Sequence, residues 1–167
     1  MDGQTISAAG ITQVTVEIKR VWPESPDAVT LIGELSDHLA PLYPKWNQFG
    51  LSPSQLVSER VAFFVAYVDG APAGCGGVKP CGGWGEVKRL YVRPEFRGRG
   101  LGRLMLQRLE EHALGHGCTR LRLETGVYQP EALGLYEHAG YREIPPFPPY
   151  EASTATLSRF YEKRIVR

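Results

Sequence analysis

Arginine and glycine alternate from Arg97 to Gly100 near the middle of the chain, and Leu101 and Gly102 follow. The residues before it, Glu86–Val92, alternate in polarity and predict a half-buried strand that Pro94 ends. The residues after Gly100 carry apolar side chains at three- and four-residue spacing, which is typical of a helix. Because the first N–H groups of a helix lack partners within it, a glycine-rich turn at this place predicts a site for an anion such as phosphate.

Other kinds of turn share part of this pattern. An arginine- and glycine-rich turn can be a solvated helix entry and nothing more. A dinucleotide-binding G-x-G-x-x-G would begin at Gly98 and would need glycine at the position of Arg103. A nucleotide P-loop would need Gly-Lys-Ser/Thr after the turn, and the chain has no such triplet there. The pattern therefore disfavours both nucleotide-binding motifs and leaves the solvated turn as the alternative.

The strand, turn and helix resemble those of the GNAT (Gcn5-related) N-acetyltransferases, whose pyrophosphate loop is [QR]-x-x-G-x-[GA]. Arg97, Gly100 and Gly102 match that loop. A second family block, N-x-x-A-x-x-x-Y-x-x-x-G-[FY], has its counterpart at Gln129, Ala132, Tyr136, Gly140 and Tyr141. Gln129 stands where the family usually has asparagine, which leaves its role in question. The two blocks place the resemblance in about the C-terminal half of the chain.

The resemblance implies acetyl-CoA as co-substrate, held where the central strand and the next strand diverge. Backbone groups of Leu90 and Val92 would bond the acetyl and pantetheine amides, and the N–H of Leu90 would stabilise the oxyanion of the tetrahedral intermediate. The residues implied as coenzyme-binding are Leu90, Tyr91, Val92, Arg97, Gly98, Arg99, Gly100, Leu101, Gly102, Gln129 and Tyr136.

The resemblance also implies an acid and a base. Tyr136 would be the general acid that protonates the departing coenzyme thiolate. Glu86 would be the general base that takes the proton of the amine, directly or through water, and Glu124 is the reserve candidate. Each has a plainer interpretation, since a tyrosine on an apolar helix face often packs in the core and a strand-end glutamate is often exposed. Lys88 and Arg89, beside Glu86, could hold a carboxylate of the substrate.

Composition narrows the class of protein. The chain has 167 residues and a formal net charge of +1, so we expect a single domain, residues 1–167, without global attraction to nucleic acid or to an anionic membrane. The three cysteines, Cys75, Cys81 and Cys118, are odd in number and lack the paired spacing of a metal site. They suit reduced thiols, and with no recognisable export signal the sequence predicts a cytoplasmic protein without a bound metal.

Periodicity and turn residues predict the elements that position this loop. Met1–Ala9 is small and polar and predicts a flexible tail. The predicted strands are Thr12–Val21, Val61–Val68, Ala73–Lys79, Glu86–Val92, Arg120–Thr125, Tyr141–Ile144 and Thr156–Val166. The predicted helices are Ala28–Leu39, a short one ending near Ser58, Leu101–Gly115 and Pro130–Ala139.

Tyr43, Trp46 and Phe49 lie in a proline-rich segment that is too aromatic for an idle linker. Their rings would either plug the end of the core or line a substrate mouth. The sequence does not choose between the two.

Together these observations predict an α/β fold of GNAT type, with a mixed, mostly antiparallel sheet flanked by helices and a splayed parallel strand pair. Three antiparallel strands before the loop argue against a parallel dinucleotide-binding sheet. The implied activity is transfer of acetyl to a primary amine of a small molecule or peptide, and a homodimer is compatible with it. Two rival hypotheses are a non-catalytic acyl-CoA-binding module and a nucleic-acid-binding patch of Arg93, Arg97, Arg99 and Arg103.

Overall fold

The computed structural model describes residues 3–8 and 12–166. Within these residues the strands are β1 (Gly3–Ala8), β2 (Thr12–Val21), β3 (Ala62–Val68), β4 (Ala71–Pro80), β5 (Trp84–Val92), β6 (Arg120–Gly126), β7 (Arg142–Ile144) and β8 (Ser158–Arg164). The α-helices are α1 (Pro26–Leu39), α2 (Pro53–Ser58), α3 (Leu101–Gly115) and α4 (Pro130–His138). The predicted elements are confirmed, with ends that differ by a few residues.

The strands form one sheet in the order β1-β2-β3-β4-β5-β6-β8-β7. Neighbouring strands are antiparallel throughout, except for β5 and β6, which are parallel. The crossover between β5 and β6 contains α3, because parallel neighbours cannot be joined by a hairpin. The α/β class and the mixed, mostly antiparallel sheet are therefore confirmed.

The N-terminal segment differs from the flexible tail that the sequence predicts. Gly3–Ala8 pairs with β2 in an antiparallel register that runs from Gly3 opposite Glu17 to Ala8 opposite Thr12. Backbone hydrogen bonds to a neighbouring strand need no apolar side chains, so the composition of this segment did not reveal the pairing. Residues 1, 2 and 9 of the predicted tail lie outside the described residues.

The helices cover both faces of the sheet. Leu31, Ile32 and Leu35 of α1 pack with Phe63 and Val65 on one face. The other face carries a larger core, formed by apolar residues of α3 and α4 and by the inward residues of six strands, among them Phe64, Met105, Leu109, Leu121 and Tyr136. Since β3 is buried on both sides, its sequence reads as a continuous apolar run instead of an alternating one.

Local signals define where the helices begin. Ser52 caps α2: its hydroxyl accepts a hydrogen bond from the backbone N–H of Gln55, whose side chain in turn accepts one from the N–H of Ser52. α3 begins after Gly100, whose φ of 77° lies in the left-handed region that favours glycine. α4 begins with Pro130, for which the missing N–H is no loss at a first helical position.

Candidate active site

The cleft at the centre of the sheet exists because β5 and β6 pair over a short length. Their register covers Trp84–Arg120, Gly85–Leu121 and Glu86–Arg122, after which the strands diverge. The opposite edge of β5 shows the cause, since the β4–β5 register shifts between Cys75 and Gly77. Such a β-bulge bends the strand that carries it. The predicted splayed parallel pair is therefore confirmed.

A cavity of about 720 Å³ opens beside this splay. It is lined by the end of β5, by the turn after it, by the first turn of α3 and by α4. The N–H of Leu104 bonds to the carbonyl of Gly100, so the N–H groups of Leu101, Gly102 and Arg103 precede the helical ladder. All three residues line the cavity, as the predicted anion site requires.

The glycines of the turn have different structural roles. Gly98 and Gly100 both have φ of 77° and leave open space where a Cβ would be. Gly102 has an ordinary helical backbone, but a Cβ there would lie 2.8 Å from Cδ2 of Leu135. Gly102 therefore allows the first turn of α3 to pack closely on α4, which carries Tyr136.

The arginines around the turn are largely engaged by the protein. Arg93 forms a bidentate pair with Glu34 through Nε at 3.0 Å and Nη2 at 2.6 Å. Arg97 donates from Nε to the carbonyl of Val92 at 2.9 Å, and its Nη1 lies 3.3 Å from a carboxylate oxygen of Glu131. Arg97 thus connects the end of β5 to α4. This pairing does not favour a free basic surface for nucleic acid.

Two further arginines differ in their position relative to the larger cavity. The guanidinium of Arg99 lies 5.8 Å from the ring centre of Phe96, and Arg99 is not among the residues that line the cavity. Arg103, which was not a predicted coenzyme-binding residue, lines it. Since α3 begins at Leu101, Arg103 is its third residue and lies in the first turn, beside the cavity. This position of Arg103 follows only once the start of the helix is known.

A smaller cavity of about 160 Å³ lies on the other side of the splay. Leu35, Leu90, Gln129 and Tyr136 line both cavities, so the two meet at these side chains. Leu90 lies on β5, just after the β-bulge. The structure therefore brings three of the predicted site residues, Leu90, Gln129 and Tyr136, to the junction.

Tyr43 braces this junction and was not predicted as a site residue. Its hydroxyl donates to Oε1 of Gln129 at 3.4 Å and accepts from the N–H of Tyr128 at 3.0 Å. A Cβ at Gly126 would overlap the Tyr43 ring. Tyr43 is buried and Phe49 lines the smaller cavity, whereas Trp46 is exposed. The aromatic segment thus contributes both to the core and to the wall of the smaller cavity.

The comparisons with known proteins agree with this geometry. The family model described as "Acetyltransferase (GNAT) family" matches residues 28–141. The chain belongs to the GNAT acetyltransferase family. It is 40% identical over 152 residues to a protein named IAA acetyltransferase from Azospirillum brasilense, which covers 90% of this chain and 98% of that one.

Solved structures show the same fold. A protein from Klebsiella pneumoniae subsp. pneumoniae assigned as an acyl-CoA N-acyltransferase is 32% identical, with a TM-score of 0.76 over 90% of this chain and 98% of that one. The PaiA N-acetyltransferase of Thermoplasma acidophilum, solved with coenzyme A, is 19% identical, with a TM-score of 0.70 over 89% and 98%. At that identity the second likeness supports the fold alone.

Tyr136 has the environment that a GNAT general acid would need. Only 6% of its surface is exposed, and the burial, together with the nearby Glu124, raises the pKa of its phenol. The hydroxyl therefore remains protonated at neutral pH and is able to donate. Its ring lies 6.0 Å and 6.2 Å from those of Tyr141 and Tyr161, which hold it against the core.

The two candidate bases of this GNAT site differ in their partners. Glu86 is buried, forms a salt bridge of 2.8 Å with Lys88, and accepts a hydrogen bond from the hydroxyl of Tyr150. Glu124 accepts a hydrogen bond of 2.6 Å from Ser158 and has no salt bridge in the described part of the chain. Burial raises the pKa of Glu124 to about 7, although the Ser158 hydrogen bond opposes this rise. Both carboxylates line the smaller cavity.

Most of the remaining residues predicted to bind the coenzyme line the larger cavity. Val92, Arg97, Gly98, Gly100, Leu101 and Gly102 line the larger cavity. Tyr91 also lines it, and its hydroxyl is engaged within the protein, because it donates to Glu34 at 3.2 Å.

Burial raises the pKa of Cys75 to about 12 and also raises those of Cys81 and Cys118. None of the three lines either cavity.

Within the described residues, no group of three or more histidine, cysteine, aspartate or glutamate side chains is placed to hold a metal ion. No helix among those residues is long and apolar enough to cross a membrane.

Proposed function

We propose that this GNAT protein transfers an acetyl group from acetyl-CoA to a primary amine of a small molecule or peptide, by direct attack in a ternary complex. The observation that carries the proposal is the junction of the two cavities. A larger cavity with an anion-binding turn and a smaller cavity with two carboxylates share Leu90, Gln129 and Tyr136. Donor and acceptor would enter from opposite sides and meet there.

The larger cavity fits the coenzyme. The N–H groups at the start of α3, with Arg103 beside them, would hold the pyrophosphate. The edge of β5 at Leu90 and Val92 would bond the amides of the pantetheine arm, and the N–H of Leu90 would stabilise the oxyanion. The coenzyme A in the complex of the Thermoplasma acidophilum protein shows that the shared fold accommodates this ligand in that protein.

The chemical step needs no covalent enzyme intermediate. The amine nitrogen forms a bond to the acetyl carbonyl carbon, and the tetrahedral intermediate then breaks its C–S bond. The nitrogen loses one proton to a base, and the departing thiolate takes one proton from Tyr136. The raised pKa values of the cysteines and their absence from the cavities support direct transfer, because an acyl-enzyme would need an accessible thiolate.

Glu124 is the proposed base. A carboxylate with a pKa of about 7 is partly ionised at neutral pH and holds a proton well enough to serve as acceptor. Glu86, the first candidate from the sequence, is already bound to Lys88 and Tyr150. We propose that Glu86 instead orients Lys88 and Tyr150 at the wall of the smaller cavity.

The proposal is tested by thiol release from acetyl-CoA over a panel of amino acids, polyamines, aminoglycosides and peptide N-termini. With the best acceptor, kcat/KM of the wild type should rise with pH and level off above about 7, as Glu124 loses its proton. Glu124→Gln should lower kcat by roughly a hundredfold and remove this acid limb, since the amide cannot accept the proton.

Glu86→Gln is the matched comparison, because it makes the same change in a carboxyl that lines the same cavity. It should keep the acid limb and alter mainly KM for the acceptor. Loss of the limb in Glu86→Gln but not in Glu124→Gln would move the base to Glu86. Coenzyme binding without thiol release from any amine would indicate an acyl-CoA-binding module instead.

A further inference from the structure

Four charged side chains line the smaller cavity, and their partners differ. Glu86 and Lys88 neutralise each other at 2.8 Å, with only 4% and 11% of their side-chain surfaces exposed. Glu124 is held by Ser158 and is protonated in part at neutral pH. Arg89 is the fourth. No carboxylate in residues 3–8 and 12–166 forms a salt bridge with it.

The hydrogen bonds of Arg89 go to neutral groups. Its Nη2 donates to the carbonyl of Ile32 at 3.1 Å and to the hydroxyl of Ser36. Its Nε is buried and has no partner among the described residues. Nη1 lies beside Gly50, and none of the hydrogen bonds within the described chain uses it. The guanidinium therefore keeps free donors in a cavity wall.

An arginine that is withdrawn from water and has no carboxylate partner is unusual. Burial lowers the pKa of the Arg89 guanidinium, and the thiol of Cys75 opposes this, yet an arginine remains charged at any physiological pH. Arg89 is half-buried, and a charge withdrawn from water in this way is normally paired, because an unpaired one retains its desolvation penalty. Arg93 and Arg122 follow that rule through Glu34 and Glu162.

The backbone makes special room for this side chain. Arg89 has φ of 55°, a left-handed conformation that is uncommon for a residue with a Cβ. It lies at the β-bulge of β5 that opens the splay. A Cβ at position 50 would overlap Nη1 of Arg89, so glycine leaves the space that this side-chain position occupies. Strained backbone of this kind is concentrated at functional sites.

We propose that the acceptor of this enzyme is a small amino carboxylate whose carboxylate binds Arg89 while its amine faces Glu124. This inference rests on the proposed acetyl transfer and adds the class of acceptor. The anion would supply the missing countercharge and accept hydrogen bonds from the free guanidinium donors. At about 160 Å³ the cavity is below the roughly 300–1,000 Å³ of pockets for drug-sized ligands, so the buried part of the acceptor is small.

The test compares amines that differ only in the carboxylate. Amino acids, their carboxamides and the corresponding decarboxylated amines are assayed for thiol release at saturating acetyl-CoA. The wild type should prefer the carboxylate by roughly ten- to a hundredfold in kcat/KM, as expected for a charge-assisted hydrogen bond. Arg89→Gln should remove this preference through KM for the acid, with KM for acetyl-CoA unchanged and the carboxamides turned over as before.

Arg122→Gln is the matched control. Arg122 lies on the neighbouring strand, is paired with Glu162 at 2.9 Å and lines neither cavity, so this variant should keep the preference. Calorimetry of the amino acid against the coenzyme A complex provides a second readout if turnover of Arg89→Gln is too low to measure, and binding should weaken by the same factor.

The outcomes separate the two proposals. If no amine of any kind is acetylated, the proposed function fails. If amines are acetylated but the carboxylate gives no preference, or if Arg89→Gln retains that preference, the assigned acceptor class is wrong and acetyl transfer stands.

Discussion

At the scale of single residues, Tyr136 distinguishes a catalyst from a binding module. Tyr136→Phe keeps the ring that packs against Tyr141 and Tyr161 and removes only the hydroxyl. If the phenol protonates the departing thiolate, the turnover rate should fall by roughly ten- to a thousandfold. Coenzyme affinity should change little. The measurements are thiol release at saturating substrates and calorimetry with acetyl-CoA.

Tyr141→Phe is a useful companion, because it removes a buried hydroxyl on the same side of the core that lines neither cavity. Its hydrogen bond of 3.1 Å to Glu110 predicts a loss of stability of about 1 kcal/mol without loss of rate. Equal turnover of Tyr136→Phe and wild type, with chemistry limiting, would remove the general-acid role.

Which residues could be found from the sequence depended on whether their function lies in a motif. Arg97, Gly100 and Tyr136 occupy motif positions, so the sequence alone is enough to propose them. The preference for Glu124 over Glu86 as the proposed base depends on burial and on which carboxylate pairs with Lys88. Neither property can be read from the local spacing of residues. Tyr43 reaches Gln129 across 86 residues of sequence, so only the folded chain reveals the contact.

At the scale of elements, the turn before α3 should control coenzyme binding. Gly100→Glu would place a carboxylate at the entrance of the anion site, where it repels the pyrophosphate and occupies its position. We expect loss of measurable coenzyme A binding by calorimetry. The observation behind this expectation is the set of N–H groups that precede the helical ladder at Leu101, Gly102 and Arg103.

The backbone cost of this substitution needs its own control, since Gly100 has φ of 77°. Gly117→Glu makes the same charge change at φ of 80°, also with open space for a Cβ, beyond the other end of α3. It should lose comparable stability and keep its coenzyme affinity. Equal affinity in the Gly100 and Gly117 variants would argue against the assigned pyrophosphate site.

At the scale of the whole molecule, the order and type of the elements follow from periodicity. The apolar residues that a helix or a strand buries recur along the sequence with the period of that element. The splay does not follow from periodicity. It depends on a β-bulge at Arg89 and on a parallel pairing that stops after Glu86–Arg122, and both are properties of strands far apart in sequence. β1 likewise forms through backbone pairing with β2, which side-chain patterns do not record.

The free energy of unfolding of the whole fold should depend on pH through the proposed base, Glu124. Glu124 has an ordinary pKa of 4.5 and a folded pKa of about 7. Between these values the folded chain holds a proton that the unfolded chain has released, so the free energy of unfolding falls as the pH rises through this window. Below 4.5 both states are protonated and nothing is lost. Above about 7 the loss is complete, at about 3 kcal/mol.

Glu124→Gln should escape this loss, because its amide is neutral at every pH and still accepts from Ser158. Glu34 and Glu162, whose lowered pKa values act in the opposite direction, are common to both proteins and cancel in the difference. Urea unfolding at pH 4.5 and pH 8 measures that difference. As the pH rises, the free energy of unfolding of the variant should increase relative to that of the wild type, although the variant has lower activity. Parallel stability curves would show that Glu124 titrates normally, which would leave the smaller cavity without a base poised near neutral pH.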